Sequence, residues 1–265
     1  MGAYNAPSLL TKDPRALERR YLAHLGLVPA SHSTQIVEPE AWSDLAHACV
    51  TALGVMANLA DDMRHLQRTE IAEIAEGFRA DQVGSSTMPQ KRNPVSFENV
   101  KSIWKAFMPR VITTYLDQIS EHQRDLTNSA SQRFSGELLA ATAYAATRLG
   151  ASIDGIRIDR DRMKTNVGLS KGGIIAEALY VLLAKHGHHD AHEAVRRLTL
   201  EADRSGKGML ELAALDPELR PVLASLTPDE RRVLDQPEEY RGLAADVARD
   251  VATTWRARLA GMLPE

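Results

Sequence analysis

The sequence predicts an all-α fold, a bundle of long helices followed by a small helical C-terminal domain. Three observations predict it. Apolar residues fill 44% of the 265 positions but aromatics only 5%, and the abundance of Ala and Leu favours helix over sheet. Between Leu45 and Leu66 apolar residues recur at alternating spacings of four and three, the period of a helical seam. Beyond Asn166 come short apolar runs opened by proline or an acidic residue, the start signals of short helices. No strand pattern of any length and no internal repeat is found.

In chain order, Met1–Pro7 has turn chemistry. Asp13–Leu25 reads as a short helix with Pro14 at its first position and Leu17, Tyr21, Leu22 and Leu25 on one face; Gly26 stops it. Val28–Val37 is a connector. Glu40 to about Ala75 is the clearest long helix, with a seam of Leu45, Cys49, Ala52, Met56, Leu59, Met63 and Leu66. Ala46, Ala48, Val50, Leu53, Val55, Ala57 and Ala60 add apolar surface around much of its circumference, as expected of a helix buried among neighbours. Val95–Glu121 is the second long helix, its buried side marked by Val100 through Ile119, with a kink at Pro109. An Ala-rich third helix runs from about Ser129 to Gly150. Ile153–Asn166 breaks the pattern and sets the expected boundary, with the bundle in residues 1–152 and the C-terminal domain in 153–265. There the helices are Gly173–His186, one capped by Asp190 to about Arg204, Met209–Leu215, Pro217–Leu226, Pro228–Leu234 and Pro237–Leu263.

A net charge of −3 argues against general nucleic-acid binding. Nothing approaches the roughly 20-residue apolar run of a membrane span, and no signal peptide pattern opens the chain; a cytoplasmic protein is expected. Cys49 is the lone cysteine and reads as a small buried hydrophobe. His186, His188, His189 and His192 cluster without matching acidic or thiol ligands, which favours a solvated helix junction over a metal centre.

The chemistry concentrates in Gly84–Asn99, GSSTMPQKRNPVSFEN. Gly84 has backbone freedom, Ser85 and Ser86 bring hydroxyls, Lys91 and Arg92 bring charge, and Asn93 brings a carboxamide. Pro94 suits the first turn of a helix, and Glu98 follows one turn on. Hydroxyls and cations delivered onto a helix N-terminus make a site for an anion. Removing a proton beside a carboxylate needs such a site, because charge spreads onto that carboxylate and must meet fixed cations and donors.

This run resembles the signature loop of the fumarase/aspartase superfamily, G-S-S-x-M-P-x-K-x-N, here Gly84–Asn93 within the loop 84–94. The resemblance implies cleavage of a C–N or C–O bond with release of fumarate. It implies Ser85 as general base, Lys91 and Asn93 on the substrate carboxylate, Glu98 in support of the catalytic machinery, and Met88 lining the substrate. Ser86 is a further substrate-contact candidate, although its hydroxyl and that of Thr87 can equally serve loop backbone. A second segment, Glu121–Arg133, resembles the adenylosuccinate lyase pattern at His122, Arg124, Asp125, Ser129 and Arg133. That family uses the two arginines and the serine on the nucleotide phosphate and substrate, a role suited to the planar guanidinium fork. Gln35 matches a further substrate-binding glutamine, and Gln67–Ile71 also fits.

The resemblance covers nearly the whole chain but only the later part of the family's chain, so the sequence looks as if it begins in the middle of a fold. None of the nine histidines stands in the family's Thr-x-His context, the usual source of the proton for the leaving group; His32, His47 and His65 do not match it. The implied function is β-elimination of fumarate from adenylosuccinate, leaving AMP. No metal or organic cofactor is implied. The implied partners are a small-molecule succinyl nucleotide and either further copies in a homotetramer or a complementing N-terminal half, with no nucleic acid and no membrane. Two other readings stand: a sibling of the carboxymuconate cycloisomerase or argininosuccinate lyase type, and a non-catalytic assembly module.

Overall fold

A computed structural model describes residues 2–34, 37–78, 87–88, 90–121, 126–170 and 172–262. The chain divides into two compact units, Met1–Ile158 and Asp159–Glu265.

The first unit opens with α1 (Asn5–Leu10), where only turn chemistry was expected, and α2 (Pro14–His24). The Asp13 side chain caps α2 by accepting from the Ala16 N–H at 2.9 Å. The core is built from α3 (Glu40–Leu66), α4 (Val95–Phe107), α5 (Arg110–Leu116) and α6 (Ser135–Asp154). Ala46, Val50 and Leu53 of α3 meet Phe97 of α4 and Leu138 and Ala145 of α6. The packed face centres on Ala46, Val50, Leu53, Ala57 and Ala60, all buried; of the expected seam, Cys49 is buried with them and Met56 and Met63 pack at its edge, while Leu45 and Leu59 are 46% and 40% exposed. Both rows have heptad spacing. The row rich in alanine lets neighbouring axes come close, and it faces the other helices.

Several boundaries differ from expectation. α3 ends at Leu66; a turn over residues 67–72 follows, with Ala72 at φ 54°. Then β1 (Ile74–Ala75) pairs antiparallel with β2 (Arg157–Ile158), Ile74 opposite Ile158. Two residues are too few for an alternating pattern to show in sequence. Pro109 does more than kink the second long helix: the helix breaks at Met108–Pro109, and α5 ends at Leu116, leaving Ile119 84% exposed. The buried Ser43 hydroxyl donates to the Thr114 carbonyl at 3.2 Å and ties α3 to α5. α6 starts at Ser135, after a 3-10 turn over Ser131–Phe134.

The second unit contains α7 (Arg160–Gly168), α8 (Ala176–Lys185), α9 (Ala191–Ser205), α10 (Met209–Leu215), α11 (Leu219–Ser225), α12 (Pro228–Asp235) and α13 (Ala244–Ala260). α7 lies where a break was expected, started by the Asp159 side chain on the Arg162 N–H at 2.8 Å. Leu179 and Leu183 of α8, Val195 of α9, Met209 of α10 and Leu219 of α11 form the core. Asp190 precedes α9 but makes no side-chain cap; its N–H donates to His188 Nδ1. α12 has a full capping box between Thr227 and Glu230. Among the described residues, no single helix is long and apolar enough to cross a membrane.

Candidate functional site

The signature stretch returns to described structure at residues 87–88 and 90–94, and its roots are held by two side chains. Gln67, just past α3, donates through its amide to the Arg92 carbonyl at 3.1 Å. Its oxygen accepts the Glu76 N–H at 2.7 Å. The Glu76 carboxylate then accepts the Ser96 N–H with both oxygens, at 3.0 and 3.2 Å. Ser96 lies in the first turn of α4, so the anion at this helix end is a carboxylate of the chain itself, where the sequence suggested a bound ligand. The Arg92 guanidinium stacks 3.8 Å from the Phe78 ring centre. Between Glu76 and Phe78, a Cβ at Gly77 would lie 2.7 Å from the Gly155 carbonyl oxygen, so only glycine allows this approach beside the β1–β2 pair.

Four candidate residues sit on this base. The Lys91 N–H donates to the Met88 carbonyl at 3.0 Å, making a tight turn with both side chains exposed. Asn93 is half-buried, and Glu98 is exposed in the first turn of α4. Lys91 has no carboxylate partner among the described residues. Lys101, nearly a turn beyond Glu98, is committed: its Nζ lies 2.7 Å from Asp61, which also takes Arg64 at 2.8 Å. The hydrogen bond from Lys101, then that from Arg64, holds the Asp61 carboxyl down at about 2. Ser85, Ser86, Gln35 and Arg124 lie outside the described residues, as do His122 and Asp125.

Ser129 and Arg133 are exposed on the turns leading into α6. Asn128 anchors those turns by donating to the Asp117 carbonyl at 2.6 Å. Ser129 lines a cleft of about 660 Å³ with Trp42, Glu38, Asp117, Asn128 and Gln132. Arg133 is not part of that lining and has no ion pair among the described residues.

The two groups do not come together within one chain. Ser129 shares its cleft with Trp42 at the start of α3, whereas the Lys91 turn is bonded to Gln67 just past the end of that helix. A helix rises 1.5 Å per residue, so roughly 35–40 Å separates the groups. Sequence reasoning gave no role to Gln67, Glu76, Trp42 or Glu38. Only Gln67 carried a signal, through its place in Gln67–Ile71.

Two family models match the chain in succession: Lyase over residues 7–108 and Adenylosuccinate lyase C-terminal over residues 120–230. The chain belongs to the fumarase/aspartase superfamily, in its adenylosuccinate lyase branch. Adenylosuccinate lyase of Pyrococcus horikoshii is 33% identical over 253 residues, which are 94% of this chain and 55% of that protein. The Archaeoglobus fulgidus enzyme is 29% identical over 250 residues, 92% and 55% of the two chains. Among solved structures, the 3-carboxy-cis,cis-muconate lactonizing enzyme from Pseudomonas putida superposes with a TM-score of 0.81 at 23% identity, over 96% of this chain and 57% of that one. That likeness speaks for the all-α lyase fold alone. This lyase-branch chain spans about half the length of the curated relatives it matches.

Proposed function

We propose that the chain supplies part of an adenylosuccinate lyase, releasing fumarate from adenylosuccinate to leave AMP, and acting likewise on the imidazole-carboxamide succinyl ribotide of purine synthesis in the cytoplasm. Ser85 as alkoxide takes the proton from the carbon beside the succinyl carboxylate. The electron pair left behind forms the new C=C bond as the C–N bond breaks. Lys91 and Asn93 meet the charge that builds on the carboxylate, with Met88 and Ser86 at the substrate and Glu98 behind them. Gln35, Arg124, Ser129 and Arg133 hold the nucleotide end. The leaving nitrogen takes its proton from a donor outside this set, which we assign to a complementing N-terminal half.

The observation that carries this reading is the exposed Lys91 on a turn pinned to Gln67 just past α3, within the signature loop of this family. The roughly 35–40 Å between that turn and Ser129–Arg133 supports a composite site, in which each substrate meets the Lys91 turn of one copy and the Arg133 turn of another. A homotetramer provides such pairings.

The Glu38 and Asp117 carboxylates in the cleft beside Ser129 favour a second reading, a sibling lyase whose substrate carries no phosphate. Calorimetry separates the two. Arg124→Ala or Arg133→Ala should weaken a succinyl nucleotide by at least tenfold, the cost of a lost charged hydrogen bond of about 1.5–3 kcal/mol. The dephosphorylated succinyl nucleoside should bind almost unchanged. Equal losses for both ligands would exclude the phosphate role.

A further inference from the structure

We propose that Gln67 and Glu76 are positioning residues that lock the roots of the signature loop and so fix where Lys91 and Asn93 stand. Three bonds carry this. One carboxamide bridges both roots of the loop, donating to Arg92 on the outgoing side at 3.1 Å and accepting from Glu76 on the incoming side at 2.7 Å. Glu76 then closes the ring by holding the Ser96 N–H at 3.0 Å. A polar clasp thus joins Gln67 and Glu76 to the segment from Arg92 to Ser96.

The clasp has a chemical consequence. Because Glu76 already satisfies the positive end of α4, that helix end offers little to a bound dicarboxylate. Recognition then falls to the side chains of Lys91 and Asn93. An ammonium on a long flexible stem holds an anion well only if its own backbone is fixed. Gln67 and Glu76 touch no substrate in this scheme; they act through the turn they hold. The bonding part of the proposal stands on the geometry, and the ligand part rests on the lyase reading.

The test uses the 265-residue chain and four variants: Glu76→Ala, Glu76→Gln, Gln67→Leu and Gln67→Glu. Hydrogen exchange by mass spectrometry compares peptides spanning 90–98 with peptides in α6 and α8, and fumarate affinity is measured by calorimetry. Glu76→Ala and Gln67→Leu should speed exchange over 90–98 about tenfold, the effect expected from losing a helix cap or a bridging bond, with α6 and α8 unchanged. Glu76→Gln keeps an acceptor without charge and should fall between. Gln67→Glu keeps the acceptor for Glu76 but cannot donate to Arg92, and should loosen 90–94 more than Ser96. Fumarate should bind several-fold more weakly to the two severe variants. Unchanged exchange over 90–98, exchange raised equally in α6 and α8, or wild-type fumarate affinity in the variants would each overturn the proposal. If the unsubstituted chain fails to bind fumarate, the ligand part of the proposal falls, while the lyase reading is decided separately by the nucleotide calorimetry and the exchange pattern alone decides the clasp.

Discussion

Asp61 shows how single residues divide the charges near the loop. Its carboxylate takes Lys101 and Arg64 at 2.7 and 2.8 Å, which removes Lys101 from any role on a substrate. Its pKa falls from 3.8 to about 2. A depressed carboxyl stabilises the fold at pH above its unfolded value near 3.8, and that contribution is lost as pH falls through about 2. In Asp61→Asn the acid limb of the stability curve between pH 4 and 2 should flatten, and at pH 7 the chain should lose about 1 kcal/mol, since the network is partly exposed. An unchanged acid limb in urea melts would show that the pairing contributes nothing. Glu230 behaves alike in the second unit, held down to about 2 first by Lys185 and then by the Thr227 backbone. The Lys185–Glu230 bond joins α8 to α12 by the same sign: present above pH 4.5, lost towards 2. Lys91 stands out in sequence because the order around it, Gly-Ser-Ser then Met-Pro, Lys and Asn, is chemically specific. Glu76 does not, because a glutamate among others carries no mark of the helix end that it will reach twenty residues on.

At the scale of elements, the β1–β2 pair and Gly77 decide where the loop begins. In Gly77→Ala the new methyl would press on the Gly155 carbonyl, which is backbone and cannot swing aside. The expected cost is about 1–3 kcal/mol, together with faster exchange in 74–78. Wild-type stability in Gly77→Ala would mean that the two segments part without penalty. Helix existence was legible from periodicity in most of the chain, and Met209–Leu215 came out to the residue. The packed face of α3 was not legible: two rows share heptad spacing, and only the neighbours' shapes choose the alanine row. α7 was hidden for a related reason. Its residues, RDRMKTNVG, have no buried member, so no apolar stripe marks them.

For the whole molecule, the distribution of apolar surface matters most. α13 has no buried residue, and Val247, Val251, Trp255 and Leu259 stay more than half exposed along it. Val55 and Leu59 of α3 and Ile112 and Leu116 of α5 are exposed as well. Surface of this kind is more than a monomer usually leaves to water. In light scattering, the 265-residue chain should therefore have a mass well above 29.2 kDa, falling when Leu59→Glu and Ile112→Glu are combined. A monodisperse 29.2 kDa particle would count against assembly.

The central claim is that the Lys91 loop and the Arg133 turn of one chain serve different substrates. The most direct measurement is adenylosuccinate cleavage, followed by absorbance, for the chain co-assembled with the N-terminal half of the Pyrococcus horikoshii relative. Copies carrying Ser85→Ala and copies carrying Arg133→Ala are assayed apart and then mixed during assembly. Each variant alone should be nearly inactive. The mixture should recover roughly a quarter of the unsubstituted rate, because sites draw the two groups from separate copies at random. A mixture as inactive as its parts, beside an active unsubstituted assembly, would contradict the account.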